Sequence, residues 1–508
     1  MQTQAEFLMG NTMSLMLRQA ITSALALTSS FAFAAGNSPD FGLRVQRMLG
    51  NASLNYFGVE APLAKSAVDP NGEDTPSRDP GQAASSLITL ADGLSARYLT
   101  RSAADSTDMM AFWPSDDAPT HIISCVEGGL ETLGNGLKNP SVQRIRLSDG
   151  KVDTILRGME GCDGIRLTPW GSILATEETD DGGAYEIIRP TLINDSTITD
   201  RTTGTIVKAD DAVETRIAKR PALAKLRWEG LQVYPNGVVY FGDELRPGDR
   251  EDAGGNKIAD SDGGAMYKFV PTTPRTGAER INALSDSPLV SGNNYAMRLS
   301  CLESGVQYGQ GCEVGSGSWV PVSASNAPVD AAKAGATGYY RPEDLHSDPL
   351  YVARKSMPNG VRFCWTNTGR ADNAHYGEVM CAEDVDSSTT DSKVTTQRLL
   401  EGDRQLNQPD NLAFQPVTGN VYVIEDNPNG DVWACLRDGR DRDNKSDGCV
   451  RILSVVDASA EPTGFFFSAD GTKAYVSIQH SADDNMPLVD GYGTDDVLEI
   501  SGFKMTSP

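Results

Sequence analysis

Histidine is scarce in this chain: there are four in 508 residues, at His121, His346, His375 and His480. None stands in HExxH or similar zinc spacing, which argues against a zincin-type or histidine-dominated metal site. No GxSxG elbow is present, and neither is a P-loop or a convincing dinucleotide fingerprint. Basic residues are also in deficit, 44 Lys and Arg against 69 Asp and Glu, giving a formal net charge of −25. Such a surface repels nucleic acid and anionic membranes, so neither is expected as a partner. Beyond residue 35 no apolar run is long enough to span a bilayer, so no stable membrane span is expected.

What is abundant is turn chemistry. Fifty glycines and 27 prolines imply many short strands, and one large all-β domain explains the length better than two or three average domains. Leu17 to Ala35 reads LRQAITSALALTSSFAFAA, with Arg18, a short apolar core and Ala32-Phe33-Ala34 as a cleavage site. Residues 1–34 are therefore expected to be a secretory signal, started at Met1 or Met13. The eight cysteines fit the oxidising setting that export implies. Cys301 with Cys312, Cys364 with Cys381, and Cys435 with Cys449 have hairpin-like spacing, while Cys125 and Cys162 either form a fourth bridge or leave Cys162 free.

Residues 35–107 read as a loosely ordered lead-in with one strand-like piece, Ser86 to Thr100. From 108 to 508 a unit recurs: a strand, a turn of Pro-x-Gly type, a second alternating strand ending in polar or acidic residues, then Gly before a third strand. Copies are TPWGSILATEE (168–178), YPNGVVYFGDE (234–244), MPNGVRFCWTN (357–367), PVTGNVYVIED (416–426) and SADGTKAYVSIQH (468–480), with a divergent sixth unit around HIISCVEGG (121–129). Six such units predict an all-β fold, a six-bladed β-propeller with long inter-blade insertions at Thr191 to Arg227 and Pro271 to Tyr340.

The carboxylates fall in register. Asp163, Glu229 and Asp410 stand six positions before the turn prolines Pro169, Pro235 and Pro416, and Glu343 and Glu461 sit at similar strand starts. The innermost strand of each blade runs along the central channel, so these acids are expected to converge on the axis. Like charges that close oppose folding unless a multivalent cation joins them. Cys162, Asp163, Glu177 and Glu178 flank one Thr-Pro-Trp-Gly hairpin and can approach the same point. Arg341, two residues before Glu343, could clamp a phosphate or carboxylate, or form an ion pair with an acid.

These motifs resemble the PhoX-type alkaline phosphatases. The likeness rests on the Cys-x-Gly-x-x-x-Thr-Pro-Trp-Gly-x-x-Leu-x-x-Glu-Glu pattern from Cys162 and on GDE at Gly242 to Glu244. It extends to RPE at Arg341 to Glu343, PDNLAF at Pro409 to Phe414 and TGFFFSADGTKAYVSIQH at Thr463 to His480. The resemblance implies an exported, metal-dependent phosphatase acting on small-molecule phosphate esters, periplasmic or secreted, with Ca2+ and Fe3+ as cofactors. It implies Glu127, Cys162, Glu177, Glu178, Glu229, Glu343 and Glu461 as metal ligands and Arg341 as the catalytic phosphate holder. A monomer is expected. This chain departs from the family at Trp228-Glu229 (His-Glu), at Cys125-Val126-Glu127 (Asn-His-Glu) and at Ser481-Ala482 after Gln479-His480 (Pro-Gly). The family's twin-arginine signal is also missing. Two alternatives stay open: a calcium-dependent lactonase, since PDNLAF followed by GNVYVIED is also similar to sugar-lactonase propellers, and a non-catalytic, calcium-stabilised propeller that binds a partner.

Overall fold

The computed structural model describes residues 41–72, 76–207, 215–248, 263–299, 313–371, 375–437 and 448–504. The expected signal segment and the Cys301–Cys312 pair lie outside the described residues. Residues 46–508 form one compact unit; of residues 1–45, which form another, only the start of the helix Phe41–Asn51 is described.

The described chain is overwhelmingly β. Strands run out from a central set of six, Thr107–Trp113, Cys162–Leu167, Trp228–Val233, Pro342–Ser347, Pro409–Phe414 and Glu461–Phe467, antiparallel except where Ser196–Asp200 pairs parallel with Val152–Arg157. Each of these inner strands packs against the next, and Glu461–Phe467 packs back on Thr107–Trp113, so the ring closes in a propeller-like arrangement. Hydrogen bonding divides the strands into five sheets rather than six. The sheets starting at Trp228–Val233 and Pro342–Ser347 are zipped into one nine-stranded sheet, because Gly315–Val322 from the long second insertion pairs with Lys393–Glu401.

The lead-in is tied to these sheets by backbone hydrogen bonds. Ser95–Ala104 pairs with the C-terminal strand Thr494–Ser501 and completes the last sheet, and Ile88–Leu90 adds an edge to the fifth. The turn signals behave as their chemistry requires. In Thr168-Pro169-Trp170-Gly171, Gly171 takes φ +75°, and its N–H donates to the Thr168 carbonyl at 2.9 Å. Trp170 is buried and its Nε1 donates to Glu186 at 2.7 Å, which fixes the turn against its own sheet. Middle strands such as Ser172–Glu177 and Val239–Asp243 are buried on both faces because neighbouring sheets cover them, and apolar residues therefore occur in runs. Trp228 stacks on Phe241 at 4.2 Å in one such layer.

The zipped sheet holds an internal cation. Lys268 and Asp384 are both fully buried; Nζ donates to Asp384 Oδ2 at 2.8 Å, to the Thr389 carbonyl at 2.8 Å and to Ser392 Oγ at 3.1 Å. The same Asp384 oxygen also accepts from Tyr240 Oη at 2.8 Å and Trp319 Nε1 at 2.9 Å, so groups from both halves of the sheet meet on one carboxylate. Lys268→Met leaves that carboxylate buried without its counter-charge. Urea unfolding of this variant is expected to show a loss of about 3–5 kcal/mol, most of it recovered when Asp384 is made Asn in the same chain.

Candidate metal centre

The acids reach the axis through a repeated backbone device. In five of the six inner strands a β-bulge follows the first residue: Thr107 faces Val126, Cys162 faces Glu177, Trp228 faces Asp243, Pro342 faces Asn367 and Pro409 faces Glu425. Pairing resumes three residues later opposite a partner only two residues back. The extra residue re-aims the side chain. The second residue of these strands is Asp108, Asp163, Glu229, Glu343 and Asp410 in turn. In the sixth strand Glu461 itself faces Gln479 and the bulge comes later, after Thr463.

Three overlapping groups result: Asp108, Glu127 and Asp163; Asp163, Glu178 and Glu229; Glu229, Glu343 and Asp410. Each has carboxylate oxygens within 4.8 Å of one another. Because Asp163 and Glu229 are shared, the groups form one continuous arc. Burial, followed by repulsion from neighbouring acids, holds Asp108, Asp163, Glu178, Glu229 and Asp410 well above the usual carboxylate range. Burial likewise pushes Glu343 up to about 8, although the Arg341 guanidinium works in the opposite direction.

Neutral and cationic groups steady individual oxygens. Thr368 Oγ1 donates to Glu343 Oε1 at 2.6 Å, Gln479 Nε2 to Glu127 Oε2 at 2.9 Å and Thr463 Oγ1 to Asp108 Oδ1 at 2.5 Å. Asp163 Oδ1, Glu229 Oε2 and Glu343 Oε2 are buried and accept no hydrogen bond. Hard oxygen donors, crowded and left unpartnered on the side that faces the arc, are the donor set that a calcium-like cation takes. The residues present therefore fit such an ion.

Arg341, at φ +58° just before Pro342, lies on the rim of the arc. Its guanidinium is 2.5 Å from Glu244, 3.1 Å from Glu343 and 3.4 Å from Asp426. At the other end of the inner strands Arg166 is held by Asp344 Oδ1 at 2.6 Å and lies 2.8 Å from His346 Nε2.

Three expected ligands, Cys162, Glu177 and Glu461, lie outside these groups. Cys162 is joined to Cys125 in a disulfide, so its sulfur is not a thiolate, and the reading of Cys162 as a metal ligand fails with it. Cys364–Cys381 and Cys435–Cys449 are bridged as their spacing suggests. Glu177 and Glu178 point to opposite sides of their strand end. Glu177 accepts from Arg201 at 2.7 Å and from the Gly183 N–H at 3.1 Å, whereas Glu178 joins the arc. Glu461 lies outside the three groups; Asp426 is its strongest acidic neighbour, and its Oε1 is 3.9 Å from His480 Nε2. Asp108 was missed, although it stands six positions before Pro114 and so carries the spacing of Asp163, Glu229 and Asp410.

Fold and site together define an all-β, propeller-like protein with a carboxylate-lined axial centre. The sequence matches the family "Alkaline phosphatase PhoX" over residues 141–482. The chain belongs to that family. Among solved structures it is similar to Pseudomonas fluorescens PhoX in complex with vanadate, at TM-score 0.54 and 15% identity, covering 86% of this chain and 98% of that one. A gluconolactonase from Xanthomonas campestris aligns at TM-score 0.37 and 11% identity, covering 87% and 99%. No curated protein sequence matches the chain.

The raised carboxylates carry a signed pH dependence. A group whose folded pKa is raised adds stability that is complete below its unfolded value and lost as pH rises through the folded one. For Glu343 that window runs from 4.5 to about 8. In chelator the melting temperature is therefore expected to fall as pH rises from 5 to 9, and millimolar calcium should abolish most of the fall. A flat profile in both conditions would contradict the assignment.

Proposed function

We propose that this chain is a metal-dependent phosphatase that hydrolyses small-molecule phosphate esters outside the cytoplasm, with calcium held by the axial carboxylates. The observation that carries the reading is the unbroken arc of buried acids with unpartnered oxygens, beside Arg341, in a chain of the PhoX family. Counting the zipped sheet as two blades makes the fold a six-bladed propeller, residues 108–508 being its catalytic domain. Export is supported by the disulfides in an acidic chain and by the signal-like leader. Among the described residues no helix is long and apolar enough to cross a membrane. We take the protein to act as a monomer.

Asp108, Glu127, Asp163, Glu178, Glu229, Glu343 and Asp410 would hold the cations. A bound cation supplies positive charge that offsets the negative charge of the phosphoryl oxygens. Arg341 presents planar donors to two phosphoryl oxygens at once, a geometry lysine cannot reproduce. Thr368 and Gln479 keep Glu343 and Glu127 oriented, so that little reorganisation is needed when the ester arrives. Arg166, tied to Asp344 and beside His346, places a fixed positive charge at the far end of the inner strands. The lactonase alternative needs one cation and few ligands, fewer than this arc offers, and the bridged Cys162 argues against the iron that the resemblance implied.

Phosphate release from an aryl phosphate should depend on calcium and vanish in chelator. Glu343→Ala should lower the rate by at least about a hundredfold while circular dichroism is unchanged. Arg341→Lys should lower kcat/KM by about tenfold or more. Full activity in Glu343→Ala would remove the assignment, and turnover of a lactone without phosphate release would favour the alternative.

A further inference from the structure

Each inner strand is the edge of its sheet, so no β-ladder joins one inner strand to the next. Their spacing still has to be fixed, because the axial acids stand on neighbouring edges with oxygens within 4.8 Å of one another. The third residue of the strand, one past the acid, does this. On one side of the ring it is Gly164 and Gly230, and backbones touch: a Cβ on Gly164 would lie 2.1 Å from the Glu229 carbonyl oxygen, and one on Gly230 2.0 Å from the Leu345 nitrogen. On the other side it is Asp344, Asn411 and Thr463, and side chains span the gap. Asp344 Oδ2 accepts the Leu412 N–H at 3.1 Å, and Asn411 Oδ1 accepts the Gly464 N–H. Both donors are the fourth residue of the following inner strand, so one device satisfies two edge N–H groups.

The bridge at Asn411 also ends on two axial acids. Asn411 Nδ2 donates to Asp410 Oδ2 at 2.9 Å, while its Oδ1 lies 2.7 Å from Thr463 Oγ1, which is 2.5 Å from Asp108 Oδ1. Asp410 and Asp108 are the two ends of the arc, and among the described residues no cation-sized group contains both. Between them runs the strand Glu461–Phe467, whose second residue is Pro462 and which brings no acid to the arc. Asn411 and Thr463 are 2% and 1% exposed, so water does not compete for these bonds. A neutral amide and a hydroxyl thus cross the gap without adding charge, and each end acid uses only one oxygen in the bridge.

We propose that Asn411 and Thr463 are positioning residues that close the arc into a ring, acting as one unit to hold Asp410 and Asp108 in the orientation that takes calcium. The proposal rests on the cation reading above and names residues outside the ligand set. Groups that orient a metal ligand are worth about ten- to a hundredfold in metal affinity. Because the two side chains are links of one chain, breaking either link releases both ends, and the two losses do not add.

The test is calorimetric titration of calcium into chelator-stripped wild-type protein, Thr463→Val, Thr463→Ser, Asn411→Ala and the Asn411→Ala, Thr463→Val double variant. Valine has nearly the shape of threonine but no hydroxyl. Thr463→Val should weaken calcium binding by about tenfold or more, whereas Thr463→Ser, which keeps the oxygen, should stay within about twofold of wild type. The double variant should lose no more than the weaker-binding single variant. In chelator, Thr463→Val should melt within about 4 °C of wild type, the size of one lost hydrogen bond, so that the loss belongs to the site and not to the fold. Unchanged affinity in Thr463→Val, an equal loss in Thr463→Ser, or additive losses in the double variant would overturn the bridge while leaving the cation site intact. The valine and serine variants decide the point even if Asn411→Ala does not fold. A wild-type protein that takes up no calcium would overturn the cation reading and the bridge together.

Discussion

Repulsion between carboxylates is the constraint on which the rest of this structure depends. Five inner strands each deliver an acid to the same level of one axis, and two more acids, Glu127 and Glu178, arrive from the ends of the neighbouring strands. A fold held only by apolar packing between sheets would relax such a cluster by spreading it. Here the closed ring of strands prevents spreading, so the charge must be met by protons, by Arg341, or by multivalent cations. The same rigidity that makes the cluster costly makes it a preformed site. The bulge that repeats at the start of each of these strands is the local device that turns the acids inward, and it recurs because the blades are repeats of one unit.

Acids that face their own sheet and acids that face the axis alternate along the strand ends, and this explains how so acidic a chain folds. Glu177, Glu425 and Asp243 are each the last residue of a strand. They face their own sheet, where Glu177 accepts the Gly183 N–H, Glu425 the Asp431 N–H and Asp243 the Arg227 N–H. The next residue, Glu178, Asp426 or Glu244, points to the other side, toward the axis and Arg341. The doublets TEE, IED and GDE are therefore two residues with two tasks, separated by strand periodicity.

That alternation also marks how far the sequence could be read. The repeated units were legible because Pro-x-Gly turns and alternating strands are local signals, and they locate the inner strands correctly. The joining of two sheets through Gly315–Val322 was not, since it depends on a pairing between an insertion and a distant strand. Spacing to the turn proline found Asp163, Glu229 and Asp410. It would have found Asp108 before Pro114 had it been applied to the divergent unit. Glu461 stands outside the three groups because its strand lacks the early bulge and the acid is the strand's first residue rather than its second. Which residue of Glu177 and Glu178 faces the axis, and whether Cys125 reaches Cys162, are matters of three-dimensional pairing that spacing leaves open.

We take the arc to be completed by oxygen-bound cations and not by an iron–thiolate centre. Elemental analysis of natively purified protein, with thiols counted under denaturing conditions, tests it most directly. Two or more calcium ions per chain, no stoichiometric iron and no free thiol at Cys125 or Cys162 are expected. Stoichiometric iron together with a titratable Cys162, or the absence of any divalent cation, would contradict it.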